Sequence, residues 1–254
     1  MSASRKGLLA RQRGTRQRQS SWRRVKHLSV IWMLLGVSMA PVASAQAESS
    51  TEFWPEASLY VQLSPGTRLF LDLPYSVNTE SGTGTLDTAA YLDISMMPIA
   101  RPALQQLDWQ RGRFLWARIG YDHIVKTGGA TGAAEDRGIV SLWAKAELPQ
   151  EVWIEGRARA DLRWIGGDYS TRYRFRIEAT REFTVLEHAV VPYANVEWFY
   201  DSRYTGWART LYQLGSEFTV DRNFRFELLL AKQYDTLPEK SSTRAFGFVA
   251  KWYY

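Results

Sequence analysis

From residue 53 onward, apolar and polar positions alternate in segments of roughly ten residues, separated by turn residues. Side chains on a strand alternate sides with a period of two, so each segment has one greasy and one polar face. This pattern predicts strands near 57–63, 67–75, 85–97, 113–125, 137–148, 152–164, 171–183, 190–201, 208–220, 224–233 and 243–254. Tight turns are expected at Pro65-Gly66, Pro149-Gln150 and Asp221-Arg222-Asn223, and longer loops at 77–84, 126–136, 165–170, 202–207 and 235–242. After the basic leader no run of 18 apolar residues occurs, so no helical span is predicted.

The end of the chain says which face looks out. Phe246, Phe248, Ala250, Trp252 and Tyr254 occupy every second position. A soluble edge strand with such a face invites aggregation, whereas a membrane barrel needs one to close its sheet and meet lipid. Phe246, Phe248, Trp252 and Tyr254 are therefore the expected insertion signal, and the fold class is all-β, a transmembrane antiparallel up-and-down β-barrel. Single-chain bacterial barrels have an even number of strands. A count of twelve is favoured, with 102–110 as the extra strand, and ten is the alternative. Trp54, Trp143, Trp153, Trp164, Trp198, Tyr200, Trp207, Trp252 and Tyr253 are expected in interfacial girdles.

The best-patterned hairpin is 152–183. Ile154, Gly156, Ala158, Ala160, Leu162 and Trp164 share one face; Glu155, Arg157, Arg159, Asp161 and Arg163 share the other. The second strand sets Tyr173, Phe175, Ile177 and Ala179 against Arg172, Arg174, Arg176 and Glu178. A cation facing lipid at mid-membrane costs about 2–4 kcal/mol, and turning 155–163 outward would cost on the order of 10 kcal/mol. The charges therefore face inward. With the next strand supplying Asn195, Glu197 and Asp201, the expected lumen network is Arg157, Arg159, Arg163, Arg172, Arg174, Arg176, Glu155, Asp161, Glu178 and Glu197. The 165–170 loop sets a register in which Asp161 faces Arg174, Arg159 faces Arg176 and Arg157 faces Glu178. Arginine's fixed fork of donors suits a cationic path for anions. The near balance of acids suits an ionic plug that fills a narrow lumen.

Composition changes the picture at the N-terminus. A basic stretch from Arg5 to Lys26, an apolar stretch from Leu28 to Val37 and Ala43-Ser44-Ala45 form the order of a cleaved signal peptide over 1–45, followed by a barrel over 46–254. Of 32 Lys+Arg and 26 Asp+Glu, the leader holds nine bases and no acid, leaving 23 bases against 26 acids. The basic balance belongs to the leader, and no nucleic-acid partner is expected. The chain has no Cys, which excludes disulfides, thiolate metal sites, a Cys nucleophile and a lipoprotein anchor. No metal or other cofactor is expected.

The arginine-rich hairpin (Arg157-Ala-Arg159 and Arg172-Tyr-Arg174-Phe-Arg176), then Pro192-Tyr193 and Glu197, then the terminal aromatic strand, resembles an uncharacterised outer-membrane β-barrel family of Gram-negative bacteria, a domain of unknown function. The likeness covers 150–254 well and 53–148 loosely, with Gly120-Tyr121 matching. It implies a barrel of the cell outer membrane and no established activity. The expected partners are outer-membrane lipid and, during biogenesis, the barrel-assembly machinery and periplasmic chaperones; the barrel is expected to be a monomer.

The role expected from the residues is structural, or a narrow passage for small and anionic solutes. Two alternatives stay open. One is a lipid-modifying enzyme, hydrolase or acyltransferase, using His123, which points toward lipid, with Ser141 on the neighbouring strand and Asp122 pointing inward. No Gly-x-Ser-x-Gly is present, and no catalytic residue is assigned. The other is a surface-binding barrel acting through 126–136, 202–207 and 235–242.

Overall fold

The computed structural model describes residues 48–96 and 114–254. The expected signal peptide and the segment 102–110 lie outside them. Twelve strands form one sheet: β1 (Glu48–Ser64), β2 (Thr67–Asn78), β3 (Gly84–Ser95), β4 (Leu115–Thr127), β5 (Glu135–Leu148), β6 (Val152–Ile165), β7 (Asp168–Arg181), β8 (Phe183–Val185), β9 (His188–Asp201), β10 (Gly206–Thr219), β11 (Phe224–Asp235) and β12 (Ser241–Tyr253). Each long strand overlaps one of the eleven segments read from the pattern, with ends shifted by a few residues, and by more at the start of β1.

Sequence neighbours pair antiparallel around the sheet, and β9 pairs with both β7 and β10. The ring closes between β1 and β12, which run parallel from Glu48 opposite Ser241 to Tyr60 opposite Tyr253. Eleven strands make the ring. The twelfth, β8, has three residues and follows β7 after one intervening residue, pairing with the same neighbour, β9. An odd ring demands one parallel pair, because direction reverses at every other step. It also puts the start of β1 and the end of β12 at opposite rims, here the N-terminal and C-terminal rims. The connections at 79–83, 128–134, 166–167, 202–205 and 236–240 share the N-terminal rim. The short turns 65–66, 149–151, 186–187 and 220–223 share the C-terminal rim with the β3–β4 connection, which is only partly described.

The wall is inside-out relative to a soluble domain. Exposed on its outer face are Leu71, Ile119, Val140, Leu162, Phe175, Ile177, Leu230 and Phe246. Six of the seven most deeply buried large side chains are polar: Glu197, Asp93, Asp122, Asp161, Asp201 and Ser58, with Ile139 the exception. The four residues expected as an insertion signal all expose their rings.

Two expectations need correction. The 165–170 loop is only Gly166-Gly167, with φ of +60° and +98°. Positive φ at both central residues is what a two-residue hairpin of matching twist requires, and glycine adopts it without strain. The shorter turn moves the register by two residues. Asp161 lies opposite Arg172, Arg159 opposite Arg174, Arg157 opposite Arg176 and Glu155 opposite Glu178.

The girdle is also smaller than expected. Trp143 is buried inside, Trp153 lines the lumen, Trp54 packs against the inner cluster of Phe199 and Leu211, and Tyr253 stacks on Tyr60 at 4.8 Å. Tyr60, Phe70 and Tyr91 continue that stack along β1 to β3, at 4.4 and 5.2 Å. Tyr91 lies where Gly120 has no side chain: a Cβ there would come within 2.4 Å of its ring. The outer aromatics that remain include Trp164, Trp207 and Trp252.

The parallel seam makes a sharp prediction in a cysteine-free chain. Ser50 faces Thr243, their hydroxyl oxygens 3.0 Å apart, and Ala57 faces Ala250. Oxidation should cross-link both the S50C/T243C and the A57C/A250C variants, detected as a mobility shift under denaturing, non-reducing conditions. An antiparallel seam could satisfy at most one of these two pairs.

Candidate functional site: the ionic lumen

The lumen network is layered along the barrel axis. Nearest the N-terminal rim, Asp201 at the end of β9 gathers three guanidinium groups. Arg163 reaches its Oδ2 at 2.6 Å, Arg172 at 3.0 Å and Arg203, from the 202–205 turn, at 3.2 Å. The Arg203 amide also donates to Oδ1 at 3.0 Å, and Glu135 accepts from Arg163 and from Arg137, the latter at 2.6 Å. Asp201 is 0 % and Arg163 3 % exposed, so the carboxylate itself is shielded from water, while the side chain of Arg203 on its outer side is 34 % exposed.

The middle layer is the heart of the arginine hairpin. Arg159 donates to Asp161 and, at 3.2 Å, to Asp122. Glu197 accepts from Arg157 at 2.5 Å and from Arg174 at 2.6 Å through the same oxygen. The true register places Arg157 beside Arg176 and Arg159 beside Arg174, and like charges directly opposite repel. Acids from β4 and β9 offset that repulsion. Charge-assisted hydrogen bonds of this kind are about twice as strong as neutral ones.

Toward the C-terminal rim the pairing loosens. Arg176 is 3.6 Å from Glu155 and 3.9 Å from Glu178, and Lys145 is 3.6 Å from Glu155. Across the lumen Lys251 bridges Glu217 at 2.8 Å and Glu227 at 2.5 Å. A cavity of about 500 Å³ occupies this part of the lumen. Its lining runs from Glu182 and Val191 by the 186–187 turn up to Asp122 and Arg137, and includes none of Asp201, Arg163 or Arg172.

All ten residues expected in the network face inward. The hairpin pattern did not find the second centre, where Asp93 accepts from Arg68 at 2.8 Å and from Arg118 at 2.6 Å. These three are direct partners across β2, β3 and β4. Arg118 also lies over the rings of Phe70 and Tyr91, at 4.2 and 4.9 Å. The signal was available as three charges sharing inward parity, but at one or two per strand it is faint beside the arginine rows. Glu135 and Arg137 were hidden in a segment that pattern assigned partly to a loop.

The Ser141–His123 pairing expected of a hydrolase does not form. Ser141 is buried on the inner face, whereas His123 is on the outer face. His123 Nδ1 instead meets Asp136 Oδ1 at 2.7 Å, and the Tyr121 hydroxyl donates to the same oxygen at 2.5 Å. Among the described residues no group of three or more ligand-type side chains could hold a metal ion.

Among solved structures, the chain is similar to the beta domain of the Bordetella autotransporter Brka, at 16% identity and a TM-score of 0.45, covering 74% of this chain and 84% of that one. It is also similar to the KdgM porin, solved in complex with disordered oligogalacturonate, at 9% identity and a TM-score of 0.36, covering 78% of this chain and 95% of that one. No family model matches the chain, and no curated protein does. The particular family that the arginine hairpin resembles is thus not identified by these comparisons.

Glu197 should be the most sensitive position of the network. Glu197→Ala leaves Arg157 and Arg174 buried without their shared acceptor, a change that typically costs about 3–5 kcal/mol. Urea unfolding of the refolded barrel in lipid should show a midpoint lowered accordingly. A midpoint equal to wild type would mean that water serves those arginines as well as the carboxylate does.

Proposed function

We propose that the chain is a monomeric outer-membrane β-barrel, exported by a cleaved leader, whose lumen is held shut at the N-terminal rim by the Asp201 cluster. Its resting role is structural, and small anionic solutes pass only by a narrow path when that cluster opens. The carrying observation is the water-excluded carboxylate of Asp201 with its three arginines, set beyond the end of the cavity. Support for the membrane comes from the apolar outer face and the charged inner one, since a sheet satisfies every backbone group in hydrocarbon only when it closes on itself. Outer-membrane lipid would meet the exposed rings of Phe246, Phe248 and Trp252. The barrel-assembly machinery and periplasmic chaperones would handle the chain before insertion, with the terminal aromatic strand as the recognition signal.

Planar-bilayer recording tests the seal. Wild type should show few steps. Asp201→Ala leaves three cations without their counter-charge and frees the Arg203 turn, so it should raise the frequency of anion-biased steps about ten-fold. Wild type conducting as freely as the variant would overturn the reading.

A second reading has one observation in its favour: the hydrogen-bonded His123–Asp136–Tyr121 group on the outer face, where a lipid would lie. An Asp-oriented imidazole is the usual general base of hydrolases. With no serine beside it on that face among the described residues, the barrel reading predicts equal, background phospholipid hydrolysis by wild type and His123→Ala. A rate lost in the variant would favour the enzyme.

A further inference from the structure

We infer that the lumen cavity holds a binding site for a small, singly charged carboxylate between Arg157 and Arg176. This deepens the solute-path reading above and rests on it for access from the C-terminal rim.

Four observations meet here. Arg157 and Arg176 are direct cross-strand partners, so two guanidinium groups sit side by side on the wall. Both line the cavity of about 500 Å³, so a ligand can reach them. Both are half-buried, with side-chain exposures of 10 % and 19 %, and the Nε of each, itself shielded from solvent, has no hydrogen-bond partner among the described residues. Arg176 is held only by charge, with its acids at 3.6 and 3.9 Å, beyond hydrogen-bond reach.

The terminal nitrogens of Arg176, on the cavity lining and without a hydrogen bond to their acids, are donors that a ligand acceptor would satisfy. The demand is specific. Two planar forks, side by side, match an oxyanion that accepts from both. The flanking acids set the charge of that anion. Glu155 and Glu178 sit next to Arg176, and Glu197 already accepts from Arg157. A doubly charged phosphate would meet three carboxylates at close range. A single carboxylate satisfies the open donors with less repulsion.

The test is isothermal titration of the refolded, detergent-solubilised chain with acetate, acetamide and inorganic phosphate. Each protein is first shown to be folded by its heat-modifiable mobility. Saturable acetate binding is expected, with acetamide and phosphate both weaker. Arg176→Gln should weaken acetate about ten-fold, the loss typical of one charge-assisted contact. Glu178→Gln should tighten it about three-fold by removing a competing charge. This second variant keeps the proposal testable should Arg176→Gln fail to fold. Equal binding of acetate and acetamide, equal binding by wild type and Arg176→Gln, or no tightening in Glu178→Gln would overturn it. A preference for phosphate would overturn the ligand class. Failure of the seal alone would appear as wild-type conductance with acetate binding intact, so the two ideas fall separately.

Discussion

A guanidinium group inside a barrel wall has two places to go, and only one is tolerable. Facing hydrocarbon it costs kilocalories; facing the axis it needs an acid close by. That constraint fixes the sheet. Sliding any of β4 to β9 by one residue would turn its charges outward and its leucines and phenylalanines inward. Replacing a buried ion pair by packed apolar groups is often neutral or stabilising. The network is therefore better understood as specifying register than as supplying net stability. The two-oxygen carboxylates of Asp201, Glu197 and Asp93 each serve more than one arginine, which draws together strands not adjacent in sequence.

The aromatic stack complements this ionic half. Tyr253, Tyr60, Phe70 and Tyr91 occupy the inner wall at the parallel seam, with Arg68 above Tyr60 at 4.3 Å and Arg225 above Tyr253 at 4.7 Å. Parallel pairing is slightly weaker per residue than antiparallel. A run of stacked rings across that junction adds contact where the backbone ladder is least favourable.

The strands and their outward faces were legible because period two is written into almost every segment. What escaped was everything that depends on partners. The count of twelve strands held, with the three-residue β8 as the twelfth described strand; the segment 102–110 that the even-number rule favoured lies outside the described residues. The Ile165–Asp168 turn was read four residues too long, since the glycine pair lies among polar residues that also suit a loop. Trp143 and Tyr253 were sent outward because aromatics near strand ends suit an interface, yet their parity with Ser141 and Lys251 places them inside. The arginine rows were legible by density. Asp201 was read with them on the next strand, whereas Asp122 on β4 became a partner of Arg159 on β6 only once the intervening β5 set the two strands on one wall.

The odd ring has a topological corollary. A polypeptide that weaves back and forth an even number of times finishes where it started; this one does not. Whatever is fused ahead of Glu48 and whatever is appended after Tyr254 would emerge at opposite rims of the barrel. A single molecule could then carry two labels, one at each mouth, a full strand length apart.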